Sequence, residues 1–196
     1  MKILCFGDSN TYGYDPRSFF GSQYPAQHRW VDILADKLNC KAVNAGENGR
    51  EIPHREGELL RFDLMLTNQK PLDLLIVMLG GNDLLQGNTV DTVIKRMEHF
   101  LEHIDLEREK ILLVAPPPMQ RGEWVPSQTL VDASRELNEK YKDLTAISGV
   151  GFANAGNWDI PMTFDGVHFT EEGHKVFAEG LYHSIIQKRD VEDVSE

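Results

Sequence analysis

Three residues of this chain could share one reaction. Ser9, in Phe6-Gly7-Asp8-Ser9-Asn10, carries a hydroxyl just beyond an apolar run, and Asp165 and His168 stand three residues apart in Asp165-Gly166-Val167-His168. An unassisted hydroxyl is a poor nucleophile: it needs a base within hydrogen-bond reach, and the base needs a third group to fix its tautomer. A carboxylate three residues before an imidazole can accept from one ring nitrogen and leave the other to face the hydroxyl. Taken singly, a serine after a strand is more simply a turn or helix cap, and Asp-x-x-His a local cap. Whether the chain brings the two segments together decides between these readings.

Five short aliphatic runs recur at similar intervals, at 2–6, 41–44, 72–79, 110–115 and 150–153. The third and fourth are almost continuously apolar, as strands covered on both faces are. Between strands, Val90, Val93, Ile94, Met97, Leu101 and Ile104 keep to one helical face, behind a cap at Asn88 or Thr89. Leu130, Ser134, Leu137, Tyr141 and Leu144 form a second stripe, and Val176, Phe177, Leu181 and Ile185 a third, which Thr170 could cap. Alternation of this kind predicts a parallel sheet with right-handed crossovers. One domain is expected over residues 1–187, with 188–196, polar and mostly acidic, as a solvated tail. The longer loops at 12–29, 47–57, 116–126 and 155–164 each follow the carboxyl end of a strand, where open parallel sheets bind ligands. Ser9, Asn44-Ala45-Gly46, Gly80-Gly81-Asn82-Asp83 and the Asp165/His168 pair all fall at that edge.

In that order, these four segments resemble the four blocks of the SGNH (GDSL-like) hydrolases. The resemblance covers nearly the whole chain, and its opening and mid-chain segments are similar to the small arylesterase/acyltransferase branch. It implies a three-layer α/β/α sandwich on a five-stranded parallel sheet, a flavodoxin-like fold. It also implies a cofactor-free serine esterase that cleaves small, short-acyl carboxylic esters through an acyl-enzyme on Ser9, with acyl transfer to alcohols or peroxide where the pocket excludes water. By the same resemblance Ser9 and Gly46 through their backbone N–H groups, and Asn82 through its amide, would hold the oxyanion. Such a donor is worth ~3–4 kcal/mol in the transition state. A homo-oligomer is implied as well. Asn10 departs from the pattern, standing where GDSL-type sequences usually have Leu, and bears on the shape of the pocket wall. Asp8 and Asp83 lack the Asp-x-x-His spacing and read as turn and network residues. Arg29-Trp30 resembles a supporting stretch of the same branch.

Several alternatives keep the same residues. One is a thioesterase or lysophospholipase with a long apolar groove, and another a carbohydrate acetylesterase; chain-length dependence of hydrolysis would separate them. A catalytically silent α/β binding module would lack a triad or oxyanion residue, and none is missing. Asn10, Tyr12, Tyr14, Met119, Trp124, Trp158 and Phe164 are candidates to line the pocket, though loop aromatics equally pack over a sheet. His99-Phe100-Leu101-Glu102-His103 matches a zinc-protease pattern, yet both histidines lie opposite the apolar stripe, so surface residues are expected and no metal. There is no Walker loop, no Gly-x-Gly-x-x-Gly after the first strand and no Gly-x-Ser-x-Gly elbow.

Composition narrows the partners. Against 20 Lys+Arg stand 31 Asp+Glu, for a net charge of -11, which argues against nucleic acid and anionic membranes and leaves a small-molecule ester as the expected partner. No stretch reads as a signal peptide or a membrane span, and the two cysteines, Cys5 and Cys40, make no CxxC or disulfide framework. A cytoplasmic protein with reduced thiols is the expectation.

Overall fold

The aliphatic runs become strands β1 (Lys2–Gly7), β2 (Lys41–Gly46), β3 (Leu74–Met78), β4 (Ile111–Ala115) and β5 (Gly151–Asn154). All pair in parallel, in the order β2-β1-β3-β4-β5. That is the flavodoxin-like order predicted from sequence, with its switch point between β1 and β3. The structure, a computed structural model, describes residues 1–18, 20 and 22–193, the last six by backbone alone.

Among the described residues six α-helices lie between the strands, α1 (Ser9–Tyr12), α2 (Trp30–Leu38), α3 (Glu56–Gln69), α4 (Gly81–Leu85), α5 (Val90–His103) and α6 (Gln128–Ser148), and α7 (Glu171–Asp193) follows the last. Side chains alternate along a strand, so each strand feeds two cores. Leu4, Phe6, Leu75, Val77 and Leu113 pack with α3, α5 and α6. Ile3, Cys5, Ile76, Met78 and Leu112 pack with α2 and α7. The three predicted stripes are the buried faces of α5, α6 and α7. Thr89 caps α5 by accepting from Thr92 N–H, and Thr170 Oγ1 accepts from Gly173 N–H at the start of α7. Helix α7 runs on to Asp193, so the backbone of 188–193 is helical where a tail was expected; 194–196 lie outside the described residues.

Helix α3 had no counterpart in the sequence reading. It buries Leu59, Phe62 and Leu66 but also exposes Leu60 and Leu64, and apolar residues on two faces blur the period. Among the described residues no helix is long and apolar enough to cross a membrane.

Register sets the site. Gly7 is level with Gly46 on one side and Met78 on the other, so β1, β2 and β3 end together and their loops emerge side by side.

Candidate active site

Ser9 heads α1, two residues past the end of β1. Asp8 caps that short helix, its Oδ1 accepting from Asn10 N–H at 2.9 Å. Ser9 is thereby presented at the switch point, and its Oγ lies 2.9 Å from His168 Nε2. On the far side of the ring, Nδ1 is 2.7 Å from Asp165 Oδ2. Ser9, Asp165 and His168, drawn from opposite ends of the chain, therefore form one hydrogen-bonded line, and all three are buried.

The Asp165 turn fixes its own geometry. Asp165 Oδ1 accepts from Thr163 Oγ1 at 2.8 Å, Val167 N–H at 2.8 Å and His168 N–H at 2.9 Å. Burial works to raise this carboxyl's pKa, but the bonds from His168 and the backbone hold it down at about 2. It stays ionised, the state in which it can accept from the imidazole. Gly166 makes the turn at φ +82, where a Cβ would stand 2.1 Å from Gln120 O. The loop after β4 backs the turn through Gln120 N–H to Gly166 O and Trp124 N–H to Asp165 O.

Aromatic rings flank His168. Tyr14 packs 4.8 Å from the His168 ring centroid, and Trp124 meets it edge-on at 5.0 Å. Trp30, fully buried below α1, donates from Nε1 to Asn10 O at 3.0 Å, the supporting role its motif suggested.

A small cavity of about 20 Å³ opens beside Ser9, lined by Asn10, Asn82, Leu84, Met119, Leu137 and Val167 among others. Of the sequence candidates, Asn10 and Met119 therefore line it. Tyr12, Trp124, Trp158 and Phe164 do not. Tyr12 takes part through its carbonyl, which accepts from Gln23 Nε2. Trp124 and Phe164 stand half or more exposed. Trp158 packs on Phe177 and closes over Gly180, lining a neighbouring cleft of about 370 Å³ that shares Pro117 and Met119 with the Ser9 cavity. Sequence reasoning missed the cavity-facing side of Leu137 and Ser134 in α6; the hydroxyl inside an apolar stripe was the available signal. Ser134 Oγ accepts from Met119 N–H and donates to Val131 O, pinning the cavity wall.

The expected oxyanion residues divide. Asn82, at the start of α4, lines the cavity and donates one amide hydrogen to Arg50 O at 3.0 Å, leaving the other for a ligand. Gly46 is placed differently: its N–H donates to Asn44 Oδ1 at 2.9 Å, and it is not among the residues lining the cavity. A Cβ there would stand 2.0 Å from Tyr12 N, so this glycine serves close packing of β2 against α1. The turn that follows it, at 47–50, is the one Asn82 reaches. Arg50, which the sequence reading passed over, braces that turn, stacking over Phe6 and donating to the carbonyls of Gly7 and Ala45.

Two carboxylates near the site act as the spacing suggested. Asp83 is buried against Arg96 at 2.7 Å and accepts from Ile52 N–H at 3.0 Å; burial raises its pKa against the pull of Arg96. Asp8 lines the cavity, and burial pushes it up to about 6 against the Asn10 N–H bond and the charges of His168 and Arg50. Away from the site, His99 is exposed and His103 pairs with Asp63 at 2.9 Å. Among the described residues no group of three or more His, Cys, Asp or Glu is placed to hold a metal ion.

Comparison with known proteins bears on the fold and the family of this chain. An isoamyl acetate-hydrolyzing esterase 1 homolog from Mus musculus is 27% identical over 135 residues, 63% of this chain and 50% of the relative. The chain thus spans about half the length of the curated relatives it matches. A carbohydrate acetylesterase family member from Sinorhizobium meliloti superposes with a TM-score of 0.81 at 25% identity, covering 94% of this chain and 96% of that one. The inhibitor-bound aryl esterase of M. smegmatis, 24% identical, shares the fold with a TM-score of 0.83 over 95% of this chain and 98% of its own. A model of the GDSL-like lipase/acylhydrolase family matches residues 5–176, nearly the whole α/β domain, and the chain belongs to that family.

Proposed function

We propose that this protein is a serine esterase acting on small carboxylic esters with short acyl groups. The observation that carries the reading is the line Ser9 Oγ, His168 Nε2, His168 Nδ1, Asp165 Oδ2, with spacings of 2.9 and 2.7 Å. Ser9 Oγ attacks the acyl carbon while His168 Nε2 takes its proton and then returns it to the leaving alcohol. Asp165 keeps the Nδ1 proton in place and stabilises the imidazolium. Water attacks the acyl-enzyme by the same route, with His168 again as base; an alcohol attacking instead would give acyl transfer.

For the oxyanion, the Ser9 N–H, at the head of α1, has no helical acceptor of its own, and the Asn82 amide keeps a free hydrogen. With the Gly46 N–H given to Asn44 Oδ1, the third donor is assigned to the turn at 47–50, which Asn82 holds through the carbonyl of Arg50.

Short acyl groups are supported by size. A cavity of about 20 Å³ holds roughly one water or a methyl group. That disfavours the thioesterase and lysophospholipase alternatives, and both the isoamyl acetate and the carbohydrate relatives are named for acetyl esters. One observation favours a carbohydrate acetylesterase as the second reading: the adjoining cleft sets Trp158 among Gln120, Arg135, Asn157 and Asp159, an aromatic face with polar groups around it.

The test is hydrolysis of p-nitrophenyl esters from acetate to palmitate by wild type and Ser9→Ala, with acetylated sugars alongside. Turnover that falls with chain length and vanishes in the variant is expected. Wild-type turnover in Ser9→Ala would end the serine mechanism, and a preference for palmitate would end the short-acyl reading. Activity confined to acetylated sugars would select the second reading.

A further inference from the structure

Asn10 follows Ser9 directly, and its side chain reaches across to the segment that carries His168. Its Nδ2 donates to Val167 O at 3.0 Å, and its Oδ1 accepts from Phe169 N–H at 2.9 Å. These are the backbone groups on either side of His168. The amide orientation is set by its partners, since a backbone carbonyl can only accept and an N–H only donate. Asn10 is itself held from three directions: Asp8 Oδ1 takes its N–H, Trp30 Nε1 donates to its carbonyl, and Ser9 precedes it in α1. One rigid side chain thus joins the helix of the hydroxyl to the loop of the imidazole across more than 150 residues of sequence.

We infer that Asn10 is a positioning residue that sets the Ser9–His168 distance by clamping Val167 and Phe169. This inference rests on the serine mechanism proposed above. A leucine here, the residue usual in GDSL-type sequences, could make neither bond and would leave the Phe169 N–H and the Val167 carbonyl without their partner. An aspartate has the shape of asparagine but no hydrogen to give, and it would set a carboxylate oxygen against the Val167 carbonyl. Asn10→Asp therefore breaks half of the clamp while filling the same space.

The experiment compares wild type, Ser9→Ala, Asn10→Leu and Asn10→Asp. It measures thermal unfolding, kcat and KM for p-nitrophenyl acetate, and the rate at which a small fluorophosphonate labels Ser9, a step in which Oγ bonds to phosphorus, fluoride leaves and His168 takes the proton. Both Asn10 variants should unfold cooperatively, with kcat and labelling rate falling together by ~10–100-fold, as expected for an ångström-scale misplacement, and KM changing by less than about threefold. Asn10→Asp should fall at least as far as Asn10→Leu. Should Asn10→Leu fail to fold, Asn10→Asp decides. Folded variants with wild-type kcat and labelling overturn the inference. So does a raised KM at unchanged kcat, which would make Asn10 only a wall of the pocket. Failure of the serine mechanism would show separately, as equal turnover in wild type and Ser9→Ala. The low-field proton resonance of the His168–Asp165 bond then decides: sharp in wild type and lost in Asn10→Asp under the clamp, unchanged without it.

Discussion

On the side of Ser9 proposed to carry the base, a single turn closes on itself: Asp165 Oδ1 takes three hydrogen bonds from residues 163–168, and Oδ2 is left for the His168 ring. On the side proposed to hold the oxyanion, two segments far apart in sequence must meet. Residues 47–49 are exposed, and the chain just beyond them is held by α4 and α5 through Asn82 to Arg50 O, Asp83 to Ile52 N–H and Arg96 to Glu51. The first arrangement is local and is preorganised as soon as the turn forms. The second exists only once the sheet has brought the ends of β2 and β3 level. Damage to the base side should therefore be severe and confined to one group, and damage to the oxyanion side should combine lost charge stabilisation with a loosened loop.

Asp165→Asn tests the base side most sharply. An amide cannot serve both oxygens: its NH₂ must face either His168 Nδ1, imposing the wrong tautomer, or the N–H groups of Val167 and His168, which it repels. On the proposed mechanism kcat should fall roughly 10³–10⁴-fold. Stability should change as well, with a sign that can be worked out. The folded pKa, at about 2, lies below the ordinary 3.8, so the wild type gains stability above pH 4 and loses it as pH falls toward 2. The gain is about 2 kcal/mol at neutral pH. Denaturant titrations across that window should slope less steeply in the variant than in the wild type, the other carboxylates titrating in both; equal slopes would mean that the Asp165 bonds contribute no net stability.

Asn82→Ala probes the other side. The amide is proposed to meet the oxyanion only as negative charge develops, so kcat should fall ~10²–10³-fold with KM little changed. Because Arg50 O also loses its donor, amide exchange across residues 47–52 should quicken while the 163–168 turn stays protected. Faster exchange in both regions would erase the contrast between the two sides.

The same contrast decides what could be read in advance. Strands β3 and β4 were legible because each is an uninterrupted aliphatic run, the other three because short apolar stretches recur at similar intervals, and α5, α6 and α7 because each keeps one clean stripe. The spacing of Asp165 and His168 was legible because their bond is local. The bond of Gly46 was not legible because a glycine's part depends on where its N–H points, and the Asn44 side chain that takes that hydrogen is visible only in three dimensions. Trp158 and Trp124 are both loop tryptophans, yet one covers Gly180 and the other leans on His168, a choice made by packing and not by local sequence. Helices α1 and α4, four and five residues long, are too short to display a period.

Asp8 stands between the two sides and should give the smallest effect on turnover and a measurable one on stability. Burial lifts its pKa from 3.8 to about 6, so folding favours the protonated acid. The sign is opposite to that of Asp165: the folded state is penalised as pH rises from 4 through 6, and the penalty, up to ~3 kcal/mol, is complete at neutral pH. Asp8→Asn keeps an oxygen for Asn10 N–H and removes the titrating charge. The variant should therefore match the wild type in stability below pH 4 and exceed it above pH 6. On the proposed mechanism a negative charge beside Ser9 is then gone, and kcat at neutral pH should drop by a few-fold, a local trade of stability for turnover. A variant less stable than the wild type at neutral pH would show that ionised Asp8 holds α1 in place more strongly than its burial opposes it.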